Sequence, residues 1–417
     1  MPPLIASQMS TLLTRRKSLS SHRTLTTFPP SSKDFSSNDF LSLSTSPLLR
    51  SHFLTELSSH PNFRLGSSGS RLLDGNSTYA EELESFIANF HKCEAALLFN
   101  SGFDANEGFF ASVPQDGDVV VWDEMIHASV REGIKLSRAA KSVSFKHCDV
   151  DDLRRVLRDV KRGDRNVFIA VESLYSMDGD LAPLKQILDV VEREVGERGL
   201  VVVDEAHSTG VYGEKGRGLC CELGVEERVF ARLHTFGKAL GCNGAAILCS
   251  KLTREYLINY ARPLIYTTAM GFPSLAAIKV VYSLMKEGKT DPLRIHLNEL
   301  IIHMYQQLQT LHPYTTSSDL LQIPSEMPRS PIFALLMPDP RSLAKYCQEA
   351  GFVVRAIMPP TVPIGTQRVR VCLHAGNSRE DVERLVGTIR NWLMLQRREV
   401  RERGCEGMRE VFVKAVL

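Results

Sequence analysis

Short, largely apolar and β-branched runs alternate with helical patterns between residues 95 and 249. Such runs are typical of strands buried on both faces, and helices between them favour parallel pairing. We therefore predict an α/β domain built on a mostly parallel sheet. The predicted strands are AALLF (95–99), DVVVW (118–122), SVSF (142–145), VFIAV (167–171), LVVV (200–203) and AAILC (245–249).

The pattern changes after about residue 286, where the strands become sparser. Two later strands are expected at PIFALLM (331–337) and RVRVCL (368–373), followed by a helix at 378–395. Ser378 is placed to cap that helix, and Glu380 and Asp381 give it an acidic first turn. The sequence thus predicts an N-terminal arm (1–50), a large α/β domain (51–285) and a smaller α+β domain (286–417).

Composition argues against several classes of function. The 417 residues carry 50 basic and 48 acidic side chains, so charge favours neither nucleic acid nor an anionic membrane as a partner. No apolar run reaches the roughly 18 residues of a membrane-spanning helix. The nine cysteines are scattered and lack metal-ligand spacing, so we expect reduced thiols and no metal.

Residues 1–33 contain no acidic residue, are rich in serine and threonine, and carry Arg15, Arg16, Lys17 and Arg23. This composition is typical of a mitochondrial transit peptide, and it also fits a basic helix of the mature protein. We favour the helix and a cytoplasmic protein, with the mitochondrion or the peroxisome as alternatives. The C-terminal Ala-Val-Leu is not the Ser-Lys-Leu peroxisomal address.

One lysine, Lys238, stands among glycine, alanine and apolar residues in LHTFGKALGCNGAAILCS (233–250). A lysine desolvated by apolar neighbours shifts towards its neutral amine, which is the form that attacks carbonyl groups. Lys238 is therefore a candidate nucleophile. A solvated loop lysine is the alternative.

Polar residues follow several predicted strands at the carboxyl ends, where open α/β sheets bind their ligands. Asp204 and His207 come directly after LVVV. An acid in this place can pair with a cationic ring nitrogen, and a histidine can bond a ring hydroxyl. The alternative is that both residues only stabilise the following turn.

Other strand ends carry further candidate ligands. Ser101, Gly102 and Phe103 follow AALLF at the start of a helical pattern, where free backbone amides can bind a phosphate. Glu172 and Ser176 follow VFIAV. His127 follows DVVVW and can stack on an aromatic cofactor, and the hydroxyls of Thr267 and Thr268 suit phosphate oxygens. Each of these residues alone also fits an ordinary structural role.

Five ordered motifs resemble the α-oxoamine synthases, a branch of the fold-type I enzymes that use pyridoxal 5′-phosphate. Together they span nearly the whole chain, so chance is no adequate explanation. The resemblance implies a large domain with a mostly parallel sheet and a smaller C-terminal α+β domain. The motifs are FSSNDFLSLS (35–44), GSSGSRLLDG (66–75), DEAHSTGVYGEKGRG (204–218), TFGKALG (235–241) and AIMPPTVPIGTQRVRV (356–371).

The resemblance also implies a role for each candidate residue. Lys238 would bind the cofactor as a Schiff base, Asp204 would pair with the ring nitrogen, and His127 would stack on the ring. His207, together with Ser176, would contact the ring hydroxyl. The further cofactor contacts would be Ser176, Glu172, Ser101, Gly102, Phe103, Thr235 and, from a second subunit, Thr267 or Thr268. The substrate contacts would be Asn38, Thr361, Arg370 and Arg23, with His22 as the alternative to Arg23.

The implied reaction joins an amino acid to an acyl-CoA thioester, with loss of CoA and CO2, in a homodimer with a shared active site. Gly244-Ala245-Ala246 resembles the branch that uses L-alanine and pimeloyl-CoA in biotin synthesis. Glycine C-acetyltransferase, 5-aminolevulinate synthase and a secondary-metabolite acyltransferase are the alternatives within the family.

Two hypotheses from other classes remain to be separated from this one. A non-catalytic subunit would be expected to lack the lysine, whereas this chain has Lys238 together with Asp204 and His207. A nicotinamide oxidoreductase would fit the α/β pattern, but no GxGxxG turn follows a first strand.

Overall fold

The computed structural model describes residues 4–19, 22–160, 163–315 and 320–416, the last without the side chains from residue 399 onward. Its strands form a central seven-stranded sheet and two small sheets. In chain order the strands are β1 (Lys33–Asp34), β2 (Ala95–Phe99), β3 (Val119–Asp123), β4 (Lys141–Phe145), β5 (Val167–Glu172), β6 (Gly199–Asp204), β7 (Ala231–Thr235), β8 (Ala245–Cys249), β9 (Ile332–Leu336), β10 (Phe352–Val353), β11 (Arg355–Ile357) and β12 (Arg368–Cys372).

Helices flank the sheets and connect most of the strands. Short 3₁₀ turns lie at Leu43–Thr45, Gly196–Arg198, Glu214–Gly216 and Glu226–Arg228. The α-helices are α1 (Leu4–Ser18), α2 (Pro47–Ser58), α3 (Thr78–Phe90), α4 (Gly102–Ser112), α5 (Ala128–Leu136), α6 (Val150–Val160), α7 (Leu184–Glu194), α8 (Leu219–Leu223), α9 (Lys251–Tyr260), α10 (Arg262–Ile265), α11 (Phe272–Lys286), α12 (Asp291–Gln309), α13 (His312–Thr315), α14 (Pro340–Glu349) and α15 (Arg379–Val416).

The central sheet has the strand order β2-β8-β7-β6-β5-β3-β4. The pairs from β7 through β6, β5 and β3 to β4 are parallel, and β8 runs antiparallel to both of its neighbours. Along β2, Ala96 and Leu98 belong to one buried cluster, whereas Leu97 and Phe99 belong to the cluster on the other face. Helices cover both faces, which confirms the predicted mostly parallel α/β sheet.

Strand β7 is the one strand of this sheet that the apolar pattern did not predict. Its sequence, ARLHT, places Arg232 and His234 in the interior at 3% and 0% exposure. Arg232 donates a hydrogen bond to the carbonyl of His91, and the Thr209 hydroxyl lies 2.8 Å from Nδ1 of His234. These polar side chains are buried because they find partners, so hydrophobicity gives no signal for the strand.

The later part of the chain forms an antiparallel sheet of the order β11-β12-β9. Helix α14 packs against this sheet, and α15 packs against α14 and α12. Helix α15 starts as predicted: the backbone N–H of Asp381 donates to Ser378 Oγ, and that of Ser378 donates to Asp381 Oδ2. Strand β1 pairs in parallel with β10, which joins the N-terminal segment to this part.

Helix α1 exposes all its residues. In the part of the chain that the structure describes, none of the helices combines the length and apolar character needed to cross a membrane.

Candidate active site

The carboxyl ends of β5, β6 and β7 bring the main candidates together. Glu172 ends β5 and is the register partner of Asp204, which ends β6. His207 lies in the turn after β6, and Lys238 follows β7 by three residues. Parallel strands place these four residues at one edge of the sheet, where this class of fold binds ligands.

Asp204 is 6% exposed, and both of its carboxylate oxygens accept hydrogen bonds. The backbone N–H of Ala206 donates to Oδ1 at 2.9 Å, and Nδ2 of Asn106 donates to Oδ2 at 2.7 Å. Two donors from different elements fix the plane of the carboxylate. Asp204 is therefore held in one orientation at the floor of the site.

His127 is connected to the same network through Ser129. Nδ2 of Asn106 also donates to Ser129 Oγ at 3.0 Å, and that hydroxyl lies 2.7 Å from Nδ1 of His127. The backbone N–H of Ser129 donates to the same ring nitrogen at 3.2 Å. Because Nδ1 accepts, the neutral ring carries its proton on Nε2. Desolvation and the nearby Lys238 and Arg131 lower the pKa of His127, although Asp204 opposes this shift.

The surroundings of Lys238 lower its pKa, as its sequence context predicted. Desolvation lowers the pKa of the Lys238 ammonium, and the charge of Arg370 adds to the effect. The Asp204 carboxylate acts in the opposite direction, as does Glu172 when it is ionised. The net decrease increases the fraction of neutral amine, which is the form that forms covalent bonds and accepts protons.

Burial also shifts the pKa values of the two other titratable groups at this edge of the sheet. Desolvation raises the pKa of Glu172 well above its usual value, and the neighbouring Asp204 carboxylate raises it further. Desolvation and the Lys238 charge lower the pKa of His207 well below its usual value. Both shifts favour the uncharged form, in which each side chain offers a hydrogen bond rather than a charge.

Gly102 and Thr235 lie together at the start of α4. A Cβ atom at Gly102 would be 3.4 Å from Thr235 Oγ1, so glycine keeps the space above that hydroxyl open. The hydroxyl of Ser101 caps α4 by accepting from the backbone N–H of Asp104 at 3.1 Å. Phe103 is 43% exposed, and its ring centroid is 6.4 Å from that of His127.

Arg370 on β12 reaches the site from the smaller sheet. Its Nη2 donates to Asn38 Oδ1 at 2.9 Å, and its Nε donates to the carbonyl of Ser176 at 2.6 Å. The guanidinium thus joins two residues that the sequence had assigned to substrate and cofactor. Arg370 is 7% exposed and adds its charge to the surroundings of Lys238 and His207.

Four predicted residues lie outside this cluster in the single chain. Thr267 and Thr268 are exposed after α10, and Asn100 donates to the carbonyl of Thr268. Thr361 is exposed and lines a cleft together with Ser176. Arg23 is exposed in the coil after α1, and no ion pair joins it to another described residue.

Sequence reasoning missed the residues that hold the cluster in place. Asn106 lies one helical turn after Gly102, and this i, i+4 spacing is the signal that could have found it. His147, which was also missed, joins two acids outside the cluster. Its two ring nitrogens lie 2.9 Å from carboxylate oxygens of Asp123 and Asp180, which raises its pKa to about 12 against the desolvation of the ring. The ring of Tyr175 packs against that of His147 at 4.4 Å.

The arrangement fits pyridoxal 5′-phosphate. Nδ1 of the buried His207 has no hydrogen-bond partner among the described residues, as expected of a side chain aimed at a polar ring substituent. The fixed Asp204 suits a cationic ring nitrogen, and the open start of α4 at Gly102 suits a phosphate. Lys238 lies among these groups with a lowered pKa.

Comparison with known proteins defines the class. Residues 33–389 match the family Aminotransferase class I and II. The chain belongs to this family, within its α-oxoamine synthase branch. The predicted family, fold class and pyridoxal 5′-phosphate cofactor are thereby confirmed.

Three individual proteins resemble this chain over most of its length. The 8-amino-7-oxononanoate synthase of Emericella nidulans is 53% identical over 94% of this chain and 97% of its own. The aminoacyl transferase sphA of Aspergillus fumigatus is 40% identical over 85% of this chain and 80% of its own. The solved serine palmitoyltransferase of Sphingomonas wittichii superposes with a TM-score of 0.78 at 26% identity, covering 92% of this chain and 97% of that one.

Proposed function

We propose that this enzyme condenses L-alanine with a pimeloyl thioester, giving 8-amino-7-oxononanoate, CoA and CO2 in biotin biosynthesis. The observation that carries the proposal is the placement of Lys238 beside the fixed carboxylate of Asp204 at the carboxyl edge of the sheet. The 53% identity with the Emericella nidulans synthase supports the choice of substrates. The Gly244-Ala245-Ala246 run supports L-alanine.

When bound, pyridoxal 5′-phosphate supplies a protonated ring that accepts electron density from the α-carbon of the amino acid. Asp204 would face the ring nitrogen, with Asn106 fixing its plane. His207 and Ser176 would face the ring hydroxyl beside Glu172. The cofactor's phosphate would lie at Ser101, Gly102, Phe103 and Thr235.

Lys238 would hold the cofactor covalently and would then move the substrate's proton. Its lowered pKa leaves a larger share of neutral Nζ, which can accept the α-proton and later return it. His127 would cover the ring from the open side, held by its contacts with Ser129. Lys238 would thus move the proton, whereas His127 would hold the ring in place.

Arg370 would bind the carboxylate of the amino acid through its guanidinium fork. Asn38 accepts from its Nη2 and orients it, and Thr361 lies along the entry cleft. The new carbon–carbon bond joins the amino acid's α-carbon to the thioester carbonyl carbon, and the CoA thiol leaves. The original carboxylate then leaves as CO2, and a proton returns to the α-carbon.

We also propose that the protein is a homodimer in which Thr267 or Thr268 of one subunit completes the phosphate site of the other. Their exposure in the single chain supports this arrangement. A Lys238→Ala subunit mixed with a Thr268→Ala subunit would then regain part of the activity. Mixing that gives no recovery would argue against a shared site.

A cytoplasmic location is proposed on the ground that α1 belongs to the mature protein. The N-terminal sequence of the protein isolated from its own cells tests this proposal. Retention of residues 4–18 supports it. A mature chain that begins after residue 25 would instead support an organellar location.

The test of the function is a substrate panel scored by CoA release. Glycine, L-serine and L-alanine are each combined with acetyl-, succinyl-, palmitoyl- and pimeloyl-CoA, with Lys238→Ala as the inactive control. We expect release to be fastest with L-alanine and pimeloyl-CoA. A preference for another pair would assign the chain to a different branch, such as that of the 40%-identical aminoacyl transferase.

A further inference from the structure

A cleft of about 380 Å³ opens beside the active site. Ser176, whose carbonyl accepts from Arg370, and Thr361 both line it. Much of the remaining lining is apolar and includes Pro359, Pro360, Val362, Pro363 and Ile364.

Arg131 is the one basic residue among those that line the cleft in the described part of the chain. It lies on α5 four residues after His127, which is about 6 Å along the helix axis at ~1.5 Å per residue. Its charge reaches the active site, because it contributes to the lowered pKa of His127. Arg131 therefore lies about one helical turn from His127, beside the proposed cofactor site.

The charge of Arg131 is not neutralised within the chain. Among the described residues no carboxylate lies within ion-pair distance of it, and its guanidinium carbon lies 6.0 Å from the centroid of the Trp122 ring. The two acids of the cleft are otherwise engaged. Asp178 forms an ion pair with the buried Arg368, and Glu124 accepts a hydrogen bond from the backbone of His147.

We propose that Arg131 binds the distal carboxylate of a dicarboxylic acyl thioester and so selects this class of substrate over monocarboxylic chains. The inference rests on the proposed function, since it takes an acyl thioester as the second substrate. The apolar wall at Val362 and Ile364 suits the methylene chain, and a guanidinium can bind a carboxylate through two parallel hydrogen bonds.

This assignment replaces the sequence-based expectation for the same role. Arg23, which the sequence suggested for the acyl carboxylate, lies in the coil after α1 and does not line the cleft. Arg131 is fixed to a helix that also carries the active-site network around Ser129. Its guanidinium is thus positioned by the same element as His127.

The test compares two acyl chains of similar length in the holoenzyme, with L-alanine as the amino acid. Pimeloyl-CoA carries the distal carboxylate, and octanoyl-CoA does not. The variants are Arg131→Gln, Arg23→Gln and, as a matched control, Lys135→Gln, a cation on the same helix that pairs with Glu132. Cofactor content and far-UV circular dichroism establish that each variant folds.

We expect Arg131→Gln to lower kcat/KM for pimeloyl-CoA by about 10- to 100-fold, as for the loss of a charged hydrogen bond. Its kcat/KM for octanoyl-CoA should stay within about threefold, which is below 1 kcal/mol. Lys135→Gln and Arg23→Gln should leave both values unchanged.

An equal loss with both thioesters would place Arg131 at the CoA phosphates and overturn the proposal. Unchanged kinetics, or a loss confined to Arg23→Gln, would overturn it as well. Failure of the proposed function would give a different result. The unmodified enzyme would then release CoA from neither thioester with L-alanine.

Discussion

Nδ2 of Asn106 donates a 2.7 Å hydrogen bond to Oδ2 of Asp204, and both side chains are nearly completely buried. The same amide contacts Ser129, which in turn contacts His127. One side chain on α4 therefore orients both the residue assigned to the ring nitrogen and the residue assigned to the ring face. The two sides of the proposed cofactor site are coupled through it.

Replacing Asn106 by alanine should weaken cofactor binding. Loss of a hydrogen bond to a carboxylate costs about 1.5 to 3 kcal/mol, so the dissociation constant of pyridoxal 5′-phosphate should rise at least about 10-fold. Fluorescence titration of the apoenzyme measures this change. Asn259→Ala, an exposed amide on α9, is the control, and an equal effect of both substitutions would contradict the role of Asn106.

Replacing Glu172 by glutamine should leave cofactor affinity at pH 7 within about threefold of its original value. Desolvation raises the pKa of Glu172 well above its usual range, which favours the uncharged carboxyl group that glutamine resembles. Glutamine keeps its shape and its hydrogen-bonding groups. A loss of tenfold or more in the same titration would show that a charged carboxylate is required at this position.

His147→Gln should destabilise the fold in a pH-dependent way. The folded state raises the pKa of His147 to about 12, so the native state binds the proton more tightly than the unfolded chain does. The stabilising effect is fully present below about pH 6.5 and declines as the pH rises towards 12.

The free energy of unfolding, from urea denaturation at several pH values, measures this effect. We expect the difference between the unmodified enzyme and His147→Gln to be about 2 kcal/mol at pH 6 and smaller at pH 9. His22→Gln, in an exposed coil, should have no effect. A difference that grows with pH would mean that His147 is neutral in the fold.

Gly218→Ala should destabilise the protein far more than Gly224→Ala. Both glycines have positive φ, at 107° and 65°. A Cβ at Gly218 would also lie 2.5 Å from Oε2 of Glu205, whose buried carboxylate is held by Ser208 and the backbone of Cys220. Gly224 has open space around its Cβ position.

At Gly224 alanine meets only the strain of a positive φ, so Gly224→Ala should lower the free energy of unfolding by about 1 kcal/mol. At Gly218 the steric overlap adds to it, and the cost should be about 3 kcal/mol or more. Thermal denaturation of the two variants compares the costs. Equal melting temperatures would show that the Glu205 carboxylate moves freely.

The apolar strands were predictable from sequence because a strand that is buried on both faces is apolar at nearly every position. Ala95–Phe99 and Ala245–Cys249 were located to the residue, whereas β7 was missed because Arg232 and His234 are buried polar residues. Their stabilising partners come from distant parts of the chain. A local pattern carries no information about such pairs.

The residues of the candidate site also fall into those that the sequence identified and those that it missed. Asp204 was identifiable because it follows a predicted strand, and the fold directs strand ends to the ligand. Lys238 was identifiable because it stands alone among glycine, alanine and apolar residues. The contact between Arg370 and Asn38 joins positions 332 residues apart and needed the family resemblance. Asn106 and His147 were not identified, since an amide in a helix or a histidine after a strand is usually structural.

We propose above all that Lys238 is the residue that binds the cofactor. Borohydride reduction of the holoenzyme, followed by proteolysis and mass spectrometry, locates the lysine that carries the reduced pyridoxyl group. We predict that the modification lies on Lys238 and disappears with Lys238→Ala. A pyridoxyl group on another lysine of the unmodified enzyme, or on none, would contradict the account.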